Sequence, residues 1–361
     1  MKKAIPIKIL VVFYLFYKAL TATDIIKEAV FSGILRCVNI IIPSLFFMMV
    51  ISGILIRSMI LQRISPVFDK FSRFVFGMDG TVFIIFLLSM FAGYPIGASL
   101  ITEHYRNGRI SAKQAEIYLC VCYGAGPAFI YGVVSGSLWG SRAGNLVILS
   151  NVIANIFSAL ILRVIFSKKL KPSASSGSKA RVRLDCADFM TSISSASESL
   201  FSLSAMIITF SVISALIKSG DLYKHLVRSE FAEEIVSSVM DITAVADFNI
   251  YSYHILPVIS GLISFGGICV IMQIYSVTEY KFNMFLFIIV RVSAGVLSYF
   301  SAALLAEYFF ADEKTAYTLS QAGQPYATES PASAIMLIFM MFITLVGYSD
   351  LSRYDKKNEK K

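Results

Sequence analysis

Apolar residues run through this chain in blocks, and their lengths predict its elements. Runs of about 17–25 residues match the length of helix that crosses a bilayer. They predict spans near 4–20, 38–57, 115–139, 143–166, 198–217, 255–276, 284–305 and 332–349. The alternating ten-residue segments of an outer-membrane barrel are absent. Two further stretches read as re-entrant hairpins. In 81–106 an apolar half meets the helix-breaking Gly93-Tyr94-Pro95-Ile96-Gly97 and then a polar foot, Glu103-His104-Tyr105-Arg106. Each half is roughly half a bilayer long. The second stretch, 226–250, is more polar and centres on Asp241-Ile242-Thr243. The fold class expected is an all-α polytopic membrane protein. About eight transmembrane helices and two re-entrant helical hairpins would form an inverted repeat.

Composition supports this class. Of 361 residues 57% are hydrophobic and only 15% charged, which excludes a soluble enzyme. With a cytoplasmic N-terminus, 23 Lys+Arg fall in the inner segments and 8 in the outer ones, as the positive-inside rule requires. Both termini are then cytoplasmic in a multi-pass protein of the cytoplasmic membrane. The Lys2, Lys3 and Lys8 start reads as an uncleaved first span rather than a removed signal. Basic residues beside apolar spans are topology signals and give no reason to expect nucleic acid. Membrane lipid is the expected surrounding.

The organisation expected is an N-terminal span and outer segment (1–37), a first repeat (38–166), a basic linker (167–185), a second repeat (186–305), and a last part of acidic outer loop, span and basic tail (306–361). Each repeat reads as span, hairpin, broken span, span, in opposite senses. Four breaks carry the functional signal: Gly93 to Gly97, Tyr123 to Phe129, Asp241 to Thr243, and Ser264 to Gly267. Unpaired backbone at membrane depth is costly unless it lines a cavity or is buried in protein. Broken helices also offer free N–H and C=O groups to a ligand. Taken singly, each break also reads as a kink or a close-packing site. Together they predict a binding region of Gly93, Tyr94, Pro95, Gly97, Gly126, Pro127, Asp241, Thr243, Ser264, Gly266, Gly267 and Gln273.

Asp241 and Asp247 read equally as ligands of a cation or solute and as solvated acids on an outer helix. Arg291, at mid-span, is expected to pair structurally, and Trp139 to anchor at an interface. No HExxH, GxSxG or phosphate-loop motif is present, and the three histidines lack metal-ligand spacing, so neither catalysis, a metal nor a cofactor is expected. The five cysteines show no CxxC pair.

Ile42-Pro43-Ser44-Leu45-Phe46-Phe47, Ala92-Gly93-Tyr94-Pro95-Ile96-Gly97-Ala98, Gly108-Arg109-Ile110-Ser111 and Gly126-Pro127-Ala128-Phe129-Ile130 resemble the YlbJ-type sporulation integral membrane proteins. Ser264-Phe265-Gly266-Gly267-Ile268-Cys269 with Gln273 is similar to the family's later motif. That family belongs to the nucleoside-recognition, or Gate, group. Ser99 stands where the family usually has lysine, and Asp241 where it tends to have glutamate. The resemblance implies a role in spore cortex formation and a transporter-like core that binds or moves a small solute, nucleoside-like or an ion. It also implies other sporulation membrane proteins as partners. The alternative is a membrane scaffold for a spore-envelope complex that transports nothing.

Overall fold

The computed structural model describes residues 13–14, 16–135, 140–167, 170, 185–220, 223, 225, 227–248 and 253–310. The predicted span at 332–349, most of that at 4–20, most of the basic linker, the acidic loop beyond 310 and Trp139 lie outside these residues. Among the described residues the structure is helical and contains no strand.

Five helices are long and apolar enough to cross a membrane: α1 (Thr23–Arg57), Gly140–Phe166, Cys186–Lys218, Tyr253–Val277 and Met284–Phe309. With them, the chain is a multi-pass membrane protein. A bent pair, α2 (Ile60–Val75) and α3 (Gly80–Ala92), raises the number to six if the pair is counted as one span. Three spans differ from the sequence expectation: the described part of the one expected at 115–139 divides into the short helices Ala112–Val121 and Pro127–Ile130, neither long enough to cross. The one expected at 38–57 begins at Thr23, and Cys37–Ile41 forms a π-turn inside it. The one expected at 198–217 begins at Cys186.

The segment 57–80, expected to be a connection, contains the amphipathic α2. Ile60 and Leu61 are buried, whereas Val67, Phe71 and Phe74 form an exposed apolar strip beside the exposed Arg63 and Lys70. Its axis turns 87° from that of α3. These are the features of a helix lying in a membrane interface. Asp79 caps α3, accepting from the backbone of Thr81 and Val82 at 2.9 Å each. Nearly every residue of α3 is buried, as a helix apolar on all sides requires.

Beyond α3 come α4 (Ile96–Arg106), α5 (Ala112–Val121), α6 (Pro127–Ile130, continued by a π-turn over Tyr131–Ser135) and α7 (Gly140–Phe166). The second half holds α8 (Cys186–Lys218), α9 (Glu230–Met240), a 3-10 turn over Ile242–Asp247, α10 (Leu256–Phe265), α11 (Gly267–Val277) and α12 (Met284–Phe309). Ser111 and Gln114 form a capping box at α5, and Ser229 and Asn283 cap α9 and α12. Across the halves α1 packs on α8 and α7 on α12. A polar seam joins α7, α10 and α12: the Asn151 amide donates to Ser260 Oγ at 3.3 Å, and Ser260 and Ser298 hydroxyls lie 2.8 Å apart.

Candidate functional site

All four predicted breaks interrupt helices. The first lies between α3 and α4, where Gly93 has φ +84°. The second is the non-helical Tyr123–Gly126 between α5 and α6. At the third, Asp241 ends α9 in an extended conformation (φ −139°, ψ 111°). The fourth is Gly266, φ +88°, between α10 and α11. Helices α3 and α4, with 13 and 11 residues, are each shorter than a bilayer at 1.5 Å per residue.

The breaks meet. Tyr94 of the first and Tyr123 of the second have ring centroids 4.8 Å apart. Both tyrosines reach the fourth. An α-helix leaves its last four carbonyls without intrahelical partners, and in α10 all four are satisfied. Leu262 O accepts from Gly266 N at 2.8 Å. Ile263 O accepts from the Tyr94 hydroxyl at 3.4 Å, and Phe265 O from the Tyr123 hydroxyl at 3.0 Å. Ser264 O accepts from Arg291. Two residues of the first half thus finish a helix of the second.

Arg291 is fully buried, and its partners are not carboxylates. Besides Ser264 O, its guanidinium donates to Cys120 O in the last turn of α5 at 3.2 Å and to Asn155 Oδ1 at 3.1 Å. It also lies 4.2 Å from the centre of the Tyr123 ring. A helix C-terminus carries about half a negative charge. Two such ends, one from each half, supply the counter-charge that a carboxylate would otherwise provide.

Close contact explains why glycine stands at two of the predicted positions. A Cβ on Gly97 would lie 2.1 Å from Cys122 O, because the start of α4 rests on the second break. A Cβ on Gly266 would fall on the Tyr123 hydroxyl, and its positive φ adds strain.

Six of the twelve predicted residues line one central cavity: Gly93, Tyr94, Gly126, Asp241, Thr243 and Gln273. The rest of its wall is apolar, with Ile41 and Leu45 from α1 and Leu203 and Ile207 from α8. The other six predicted residues stay in the breaks without reaching this wall. Gly97 and Gly266 serve packing, and Ser264 holds Arg291. Pro127 starts α6, Gly267 lies against the backbone of α9, and Pro95 precedes α4. The cavity measures about 20 Å³, room for roughly one water-sized particle. Asp241 is the charged group on its wall. Its carboxylate accepts from Thr243 N at 3.1 Å and from the Thr243 hydroxyl at 2.6 Å, and it is 2% exposed. The solvated-helix reading of Asp241 therefore fails, while Asp247, whose side chain is 57% exposed, fits it.

Asp241 also forms the floor of a second space, a vestibule of about 430 Å³ between α1, α8 and α9. Six carboxylates and two cations, Arg36 and Lys218, line it. The Arg36 guanidinium lies 3.7 Å from Asp241, pairs with Asp247 and reaches the Ser211 hydroxyl at 3.4 Å. Arg36 was not among the residues expected at the site. Its signal is the spacing Glu28, Ser32, Arg36, one polar face of a helix where the sequence was read as an outer segment. On the far side of the cavity, Arg106 of α4 pairs with Glu279, and Tyr105 packs on Tyr280 at 5.0 Å. Among the described residues no group of three or more His, Cys, Asp or Glu has metal-holding geometry.

No protein-family profile matches the sequence. No solved structure matches it either. One curated protein is similar: the "Sporulation integral membrane protein YlbJ" of Bacillus subtilis (strain 168), 27% identical over 154 residues. That match takes in 41% of this chain and 38% of the relative, so the two correspond over about two fifths of their lengths.

Proposed function

We propose that this chain is a membrane protein of endospore formation, acting in cortex assembly, whose core binds or moves a small solute between its two halves. The likeness to a sporulation membrane protein supports the setting. One observation carries the solute-handling part: three of the four helix breaks, together with Gln273 from the helix that follows the fourth, line a cavity that has a single charged side chain on its wall. Asp241 and the Gln273 amide would select the solute by polarity, and the glycine breaks would bring backbone groups to it. A meeting of broken helices from both halves is where an alternating-access core would hold its solute. The two halves would run in opposite senses, and the α3–α4 and α9 segments would be the re-entrant hairpins.

The small, mostly apolar cavity favours a second reading: a Gate-like core kept as a scaffold for a spore-envelope complex. Reconstitution separates the two. Proteoliposomes with the purified protein are loaded against labelled monovalent cations, divalent cations and nucleosides. On the transport reading, at least one class enters faster than into empty vesicles. Asp241→Asn then lowers that flux on the order of tenfold, the size of effect of losing one charge-assisted contact, and Pro95→Ala lowers it less. Equal uptake by the wild type, both variants and empty vesicles would leave the scaffold. The setting is tested by disrupting the gene in its host. Heat-resistant spores are expected to fall, and an unchanged spore count would remove the sporulation role.

A further inference from the structure

Asp241 belongs to two spaces at once. Its carboxylate lines the central cavity from one side and floors the vestibule from the other. The side chain beside it at this floor is Arg36. We propose that Arg36 is a tethered plug, a built-in cation that seals the vestibule from the cavity at Asp241, and that the solute admitted there is a small cation which takes its place.

Several observations converge. Asp241 is the charged group on the cavity wall, so whatever rests there meets a carboxylate with no cation facing it from the cavity side. The cavity has room for an ion or a water but not for a nucleoside. Arg36 is held loosely at this end. It stands 3.7 Å from Asp241, beyond hydrogen-bond length, and its Nε is buried without a partner. Arg36 also has somewhere to go, because its other nitrogen pairs with Asp247, an acid exposed in the vestibule. Asp241 itself stays fixed when Arg36 leaves, since both oxygens are held by Thr243. The π-turn Cys37–Ile41 begins at the next residue, a local irregularity of the kind that collects at functional positions in helices. Six carboxylates against two cations on the vestibule wall would concentrate cations and repel anions before they reach the plug.

This inference rests on the solute-handling reading for its purpose, but the barrier can be measured without any flux. Cys37 follows Arg36 and is buried at 3% exposure. In Cys186→Ser protein, which lacks the one exposed thiol among the described cysteines, Cys37 reports whether the path is sealed. The protein is reconstituted in nanodiscs and treated with a positively charged and a negatively charged methanethiosulfonate of similar size. Labelled residues are identified by mass spectrometry.

Cys37 is expected to resist both reagents in the wild type and in Arg36→Lys. In Arg36→Ala it is expected to react, with the cationic reagent faster on the order of tenfold. Adding Asp241→Asn to Arg36→Ala should reduce that preference. An unreactive Cys37 in Arg36→Ala would overturn the plug, and equal rates for the two reagents would overturn the cation. Cys120 and Cys122, both buried, guard against a loosened fold. If they also react, the decision passes to Arg36→Gln, which keeps most of the side-chain volume, with the same two outcomes. Absence of transport in vesicles would remove the purpose of the plug while leaving its labelling result intact.

Discussion

Arg291→Met is expected to destabilise the protein more than any other single side-chain replacement, by about 3–5 kcal/mol. Methionine keeps much of the length and none of the donors. Ser264 O, Cys120 O and Asn155 Oδ1 would each lose a buried partner. An acceptor stranded in this way costs about 1–3 kcal/mol. Two helix C-termini would also face each other without the charge between them. Arg291→Lys restores the charge but not the fork, and cannot serve three acceptors in one plane, so an intermediate loss is expected. Thermal unfolding of the detergent-solubilised protein, followed by fluorescence-detected size exclusion, checks the order wild type, lysine, methionine. An unchanged transition in Arg291→Met would mean that the two helix ends are satisfied in another way.

Gly97→Ala is expected to be among the most damaging additions of a single carbon. The new methyl would sit 2.1 Å from Cys122 O and 2.7 Å from the Ser89 Cβ. Backbone cannot swing aside as a flexible side chain would, so α4 must lift off the second break. Overpacking of this kind costs about 1–3 kcal/mol and occasionally more. Cys122, now 2% exposed, should become reactive to maleimide as the melting temperature falls. Gly108→Ala is the control. Gly108 has φ +67° with nothing within 4 Å of the added carbon, so only backbone strain of about 1 kcal/mol is expected. Equal stability of the two variants would show that the α4 contact yields.

The breaks were legible because glycine and proline act on the backbone directly, whatever surrounds them. Gly93, Gly126 and Gly266 interrupt apolar runs, and the runs end there. What the breaks do was less legible. Tyr94 and Ser264 were read as solute contacts, yet their polar groups finish α10 and hold Arg291, a choice made by neighbours about 170 and 30 positions away along the chain. Arg291 read as half of an ion pair because the carbonyls of a helix end carry no signature in the sequence. Two helical segments were missed where charge masked periodicity. In α2, the apolar positions 60, 61, 64, 67, 68, 71, 74 and 75 keep helical spacing beneath Arg63, Asp69, Lys70 and Arg73. In the first part of α1, Glu28, Ser32 and Arg36 are polar because they face the vestibule, not because the chain leaves the helix.

The guanidinium of Arg291 has a mechanical consequence. It grips the end of α5 and the end of α10 at the same time, while its own helix, α12, packs along α7 and α10. These four helices are thereby bolted into one chassis drawn from both halves of the sequence. If the proposed core rocks, the motion is expected elsewhere, in α1 and α8, which pack on each other and bring Ile41, Leu45, Leu203 and Ile207 to the cavity wall.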